Sequence, residues 1–87
     1  MFYNKKIKKM NNQELLDQVQ EIFHDQLDDE TIVLTTETTA EDVDDWDSLT
    51  HIMLVVAIEK HFKVKFTSSE ILSWKNVGEM INCIMGK

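Results

Sequence analysis

Ser48 is the residue with the clearest access to chemistry, standing in the stretch Asp44-Asp45-Trp46-Asp47-Ser48-Leu49-Thr50-His51 where a long acidic segment gives way to an apolar run. Asp47 is suited to cap a helix that starts at Ser48. The serine then sits at the first helical position, with its hydroxyl exposed near the first-turn amides and the positive end of the helix dipole, where an anion is tolerated or mildly favoured. A hydrolase built on Ser48 lacks parts: His51 is the one histidine forced near it, and no Gly-rich elbow supplies an oxyanion hole. His51 lies one turn away and could touch an anion on Ser48, although a solvent-facing ring is the simpler expectation.

Other reactive residues are less organised. Asp42, Asp44, Asp45 and Asp47 invite a calcium-loop reading, yet an EF-hand begun at Asp42 puts Trp46 at its fifth position and Asp47 where glycine is needed. A solvated acidic face is favoured. His24, His51 and His61 have no His or Cys neighbours at metal-ligand spacing, so no metal site is expected. Cys83 stands alone among apolar neighbours and reads as a small buried hydrophobe; with no disulfide available, a reducing cytoplasm is the expected compartment. Trp46 and Trp74 are expected to pin loops to the body of the protein.

These residues must be positioned by a small fold. With 87 residues, 43% of them apolar and 29% charged, the chain has room for one domain with one modest core, and too little for a deep enzymatic cleft. The run Ile52 to Ile58 is far too short to span a membrane, and the basic start is followed by polar and acidic residues rather than by the apolar stretch of a secretion signal. The net charge is -7, and Glu14 to Glu59 holds fourteen carboxylates with no lysine or arginine. That excludes nucleic acid, which binds through Lys and Arg, and favours partners with basic docking patches.

Periodicity gives an all-α architecture: a four-helix bundle with three longer helices and a short third one. Residues 1-11 read as a flexible basic lead-in and residues 12-87 as the folded domain. Asn12 is the expected cap of a first helix whose inner stripe is Leu15, Leu16, Val19, Ile22, Phe23 and Leu27. A long loop over 28-47 follows, pinned by Ile32, Val33, Leu34 and Val43. The second helix buries Leu54, Ile58 and Phe62 with Val55 beside them, leaving Ile52, Met53 and Val56 on another side. Lys63 to Phe66 alternates like a strand but has no partner strand, so it is an extended connector. Thr67-Ser68-Ser69-Glu70 is a capping box for the short helix, and Asn76-Val77-Gly78-Glu79 launches the last, with Val77, Met80, Ile81 and Ile84 inward.

The pattern Asp47-Ser48-Leu49, with Glu59 ten residues after the leucine, then Phe62, Val64, Phe66, the short helix and the Val77-Gly78 helix start, resembles the acyl carrier protein family over residues 12-85. Specificity comes from the architecture around the tripeptide. The resemblance implies that Ser48 receives 4'-phosphopantetheine from coenzyme A through a separate phosphopantetheinyl transferase that uses magnesium and reads Asp47. The arm's thiol holds acyl or aminoacyl cargo as a thioester, and loading and transferring enzymes supply the catalysis, so the chain itself is not an enzyme. On the same grounds Leu49, Ile52, Met53, Val56 and Glu59 are expected to dock partners, Leu54, Ile58, Phe62 and Ile84 to line a space for the acyl chain, and the protein to act as a monomer.

One departure bears on the pathway. Many members that serve fatty-acid synthesis carry several acids on the second helix, whereas this chain has Thr50, His51, Met53 and Lys60 there, with Glu59 its one carboxylate after Asp47. The wording from Trp46 to His51 is more similar to stand-alone carriers of specialised pathways, such as polyketide, amino-acyl or surface-polysaccharide assembly. A competing reading is an unmodified acidic helical module that takes a partner helix in an apolar groove.

Overall fold

The computed structural model describes residues 10-87. It contains α1 (Asn12–Leu27), α2 (Ser48–Phe62), α3 (Ser68–Ser73) and α4 (Val77–Met85), with a 3-10 turn at Ala40–Asp42 between α1 and α2. No strand occurs among the described residues; Lys63 is the left-handed cap that ends α2, and 64-67 form the connector expected of an alternating segment without a partner.

The first helix begins one residue earlier than Asn12 suggested. Asn11 is the cap: its Oδ1 accepts from the Glu14 amide at 2.8 Å, and Glu14 Oε1 accepts from the Asn11 amide at 3.0 Å. A cap at Asn12 would put Leu15 at the third helical position, where no acceptor could close the box. Met10 is buried against the core, so the packed body starts before residue 12; the rest of the basic lead-in lies outside the described residues.

Leu15, Val19, Ile22 and Phe23 of α1 pack against Leu54, Ile58 and Phe62 of α2 and Val77, Met80, Ile81 and Ile84 of α4 in one buried cluster, with Leu16 and Leu27 at its edge. The first two helices run antiparallel. His61 and Gln18 meet at 2.6 Å at one end, while the Phe23 and Trp46 rings pack edge to face at 4.9 Å near the other.

The long acidic loop is held at several points. Ile32, Leu34 and Val43 are buried as expected, but Val33 is 75% exposed; in extended backbone neighbouring side chains point to opposite faces, so Ile32 and Leu34 inward put Val33 outward. The Leu34 amide donates to Gln20 Oε1 at 2.8 Å, and His24 Nε2 donates to the Ile32 carbonyl at 2.6 Å. At the far end, the Val77 and Gly78 amides donate to the carbonyls of Thr38 and Thr36 at 2.9 and 2.8 Å. The loop thereby serves as acceptor for the first amides of α4.

Candidate functional site

At the start of α2, Asp47 Oδ1 accepts from the amides of Leu49 and Thr50 at 3.0 and 2.9 Å, and Thr50 Oγ1 accepts from the Asp47 amide at 2.8 Å. These bonds, led by the one from the Thr50 amide, hold the Asp47 carboxyl below its ordinary pKa of 3.8. Asp47 therefore stays ionised at neutral pH and fixes where the helix begins. Ser48 follows at the first helical position, exposed, and its hydroxyl makes no hydrogen bond among the described residues. The expected bed of free first-turn amides is thinner than sequence suggested, because Asp47 already occupies two of them. Room for a substituent on Oγ comes from exposure, with the helix dipole as the remaining favourable field.

Behind the serine lies an aromatic brace that sequence reasoning missed. Trp46 is buried, and its Nε1–H donates to His51 Nδ1 at 3.0 Å with the two rings stacked at 5.9 Å. Accepting at Nδ1 fixes the neutral tautomer with hydrogen on Nε2, which faces the Ile71 carbonyl at 3.3 Å. Trp74 meets the same ring edge-on at 6.0 Å. His51 is thus half-buried and fully engaged, contrary to the solvent-facing reading, and it ties the acidic loop, α2 and α3 together beside Ser48. The partners of His51 are distant in sequence or aromatic, and neither signals itself in a pattern of polar spacing.

The remaining candidates divide. Leu49, Ile52, Met53 and Val56 form an exposed apolar strip continuing from Ser48 along α2, at 73%, 51%, 42% and 43% exposure. Glu59, half-buried on the same helix, also braces the connector: its Oε2 accepts from the Phe66 amide at 2.9 Å. Leu54, Ile58, Phe62 and Ile84 come together as expected, but in the closed core, so an acyl chain reaches them only if the helices part. Among the described residues no group of His, Cys, Asp or Glu could hold a metal ion; Asp42 instead accepts from the Thr39 amide at 2.9 Å. Cys83 is half-exposed rather than buried, and partial burial together with nearby Glu70 pushes its thiol pKa up, away from reactivity.

The capped helix start, with its exposed serine, thus stands on a body of four helices. The family profile described as the phosphopantetheine attachment site matches residues 17-84, and the chain belongs to that family. Within it the protein is an acyl carrier protein, with 4'-phosphopantetheine as its covalent cofactor. The chain is similar to the solution NMR structure of a holo acyl carrier protein from Geobacter metallireducens, with 46% identity over 83% of each chain and a TM-score of 0.78. No curated protein sequence matches the chain. No helix among the described residues is long and apolar enough to cross a membrane.

Proposed function

We propose that Ser48 is the attachment point of the arm, and that the chain is a non-catalytic carrier presenting acyl or related cargo to partner enzymes in a specialised biosynthetic pathway. The observation that carries this reading is the unpaired, exposed Ser48 hydroxyl one residue after the Asp47 cap, in a chain of the phosphopantetheine-attachment family. When bound, the arm supplies a terminal thiol for thioester formation. The protein's own residues position it: Asp47 fixes the first turn, and the Trp46–His51 brace holds that turn to the body. Among the described residues the nearby candidates for a base are otherwise engaged: Asp47 Oδ1 accepts from two amides and both His51 nitrogens have partners. Activation of the hydroxyl then falls to the transferase.

The exposed strip Leu49, Ile52, Met53 and Val56 is the docking surface beside the arm, and Leu54, Ile58, Phe62 and Ile84 are the core positions that would admit an acyl chain. A surface of α2 with Thr50, Met53 and Lys60 exposed or half-exposed, and with Glu59 turned to the connector, offers little to an enzyme that reads a row of acids on this helix. This supports partners outside housekeeping fatty-acid synthesis. The domain acts as a monomer in the cytoplasm. Intact mass after incubation with coenzyme A and a broad-specificity transferase tests the assignment: wild type gains one phosphopantetheine and Ser48→Ala gains none. Gain by the variant would move the tether elsewhere.

A further inference from the structure

An open groove of about 790 Å³ runs between α1 and α2, lined on one side by Gln18, Glu21 and Asp25 and on the other by Met53, Val56 and Lys60. Its charge is ordered along its length. Because α1 and α2 are antiparallel, Asp25 and Met53 lie at the end nearer Ser48, Glu21 and Val56 in the middle, and Gln18 and Lys60 at the far end, where His61 meets Gln18 at 2.6 Å. Beyond Lys60 the surface continues past Val56 into a smaller hollow that adds Lys63 and Lys65 around Glu59, whose carboxylate is turned to the Phe66 amide. Glu21, Asp25, Lys60, Lys63 and Lys65 form no ion pair among the described residues, where Lys87–Glu70 is the one bridge. The groove thus has acids at the arm's end, the exposed apolar side chains of Met53 and Val56 along one wall, and lysines at the other end, with no ion pair to any of them among the described residues.

We propose that this groove is the orientation-setting part of the docking surface. Its occupant is an amphipathic helix of a partner enzyme that lays an apolar stripe on Met53 and Val56, places a cation against Glu21 and Asp25, and places a carboxylate toward Lys60. The inference rests on the carrier reading above and extends it by moving the acids that a basic partner reads from α2 to α1. From Gln18 to Asp25 the wall rises about 10 Å, and the lysine end extends it, so the surface suits a helix of two to three turns. The open shape argues for a macromolecular segment over a small molecule, which needs enclosure on most sides. Charge at both ends gives the complex a direction that an apolar strip alone cannot, because a helix can lie on such a strip either way round.

The probe is a synthetic helical peptide with a leucine stripe, arginines at one end and glutamates at the other, spin-labelled at the arginine end and titrated into the full-length protein at low salt. The expected result is amide shifts at Glu21, Asp25, Met53 and Val56, with broadening from the label strongest near Asp25. Affinity should fall about fivefold to tenfold in Glu21→Gln/Asp25→Gln, and fall for wild type on raising the salt. Unchanged affinity in the double variant, broadening centred on Lys60, or shifts confined to other faces would overturn the proposal. Both substituted residues are exposed, and the variant's melt and its gain of the arm by intact mass are measured in parallel. An arm added normally while the peptide fails to bind rejects the groove alone, and an arm never added to wild type rejects the carrier reading alone.

Discussion

Asp47 does two things with one carboxylate: it closes the first turn of α2 by accepting from Leu49 and Thr50, and it stands next to the serine proposed to carry the arm. Because those amide bonds hold its pKa below 3.8, the sign of its pH effect is determined. A carboxyl with a depressed folded value stabilises the fold at every pH above the unfolded value, and loses that contribution as pH falls through the folded one. In melts of wild type and Asp47→Asn, wild type should be the more stable at neutral pH, and the gap should close as pH drops below about 3.8. A gap independent of pH would mean that the charge contributes nothing at the cap. This part of the site was legible in sequence because a cap and its amides are separated by two or three residues. His51 was not, since its ring bonds a carbonyl twenty residues away, and the bond from the Phe66 amide to Glu59 across the connector was equally unsignalled.

At the scale of elements, local chemistry predicted the helices well wherever a box is complete. Thr67 and Glu70 exchange bonds at 3.1 and 2.8 Å around the start of α3 as their spacing required. For α4 the pattern is half realised: Asn76 Oδ1 accepts from the Glu79 amide at 2.9 Å, but the Glu79 carboxylate turns to the Lys75 amide at 3.2 Å. The position that decides how α4 joins the loop is Gly78, whose amide reaches the Thr36 carbonyl at 2.8 Å and where an added Cβ would stand 2.7 Å from that oxygen. Backbone cannot give way as a side-chain tip can, so Gly78→Ala should cost about 1–3 kcal/mol in denaturant melts, without changing helix content in the far-UV spectrum of the folded state. A neutral outcome would show that the loop is free to retreat. Sequence marked Gly78 as part of a helix start and gave no sign of the carbonyl above it, because close approach of two backbones leaves no pattern in side-chain types.

For the whole molecule, a single core joins α1, α2 and α4 while the acidic loop wraps one end. The stripe Leu54, Ile58 and Phe62 was readable at helical spacing, and so was the overall architecture, since α1 and α4 each carry an apolar face at that spacing, while α2 is apolar on a second side that stays exposed at Leu49, Ile52, Met53 and Val56. The α1/α2 groove was not readable. It exists because two helices pack at one edge and leave their flanking residues apart, a relation between chains of residues far apart in sequence. Ile58 is wholly buried, and in a domain whose total stability is about 5–10 kcal/mol its truncation to alanine should remove about 2–5 kcal/mol. Equilibrium denaturation checks this; retention of wild-type stability would contradict the packing of α2 described above.

The account depends most on where the arm is joined. The chain has four serines, Ser48, Ser68, Ser69 and Ser73, and three of them belong to α3. Peptide mapping by mass spectrometry after treatment with coenzyme A and a phosphopantetheinyl transferase separates them. The added mass is predicted on the fragment containing Ser48, with the fragments covering the other three unmodified. Modification of an α3 serine, or of none, would contradict the central claim.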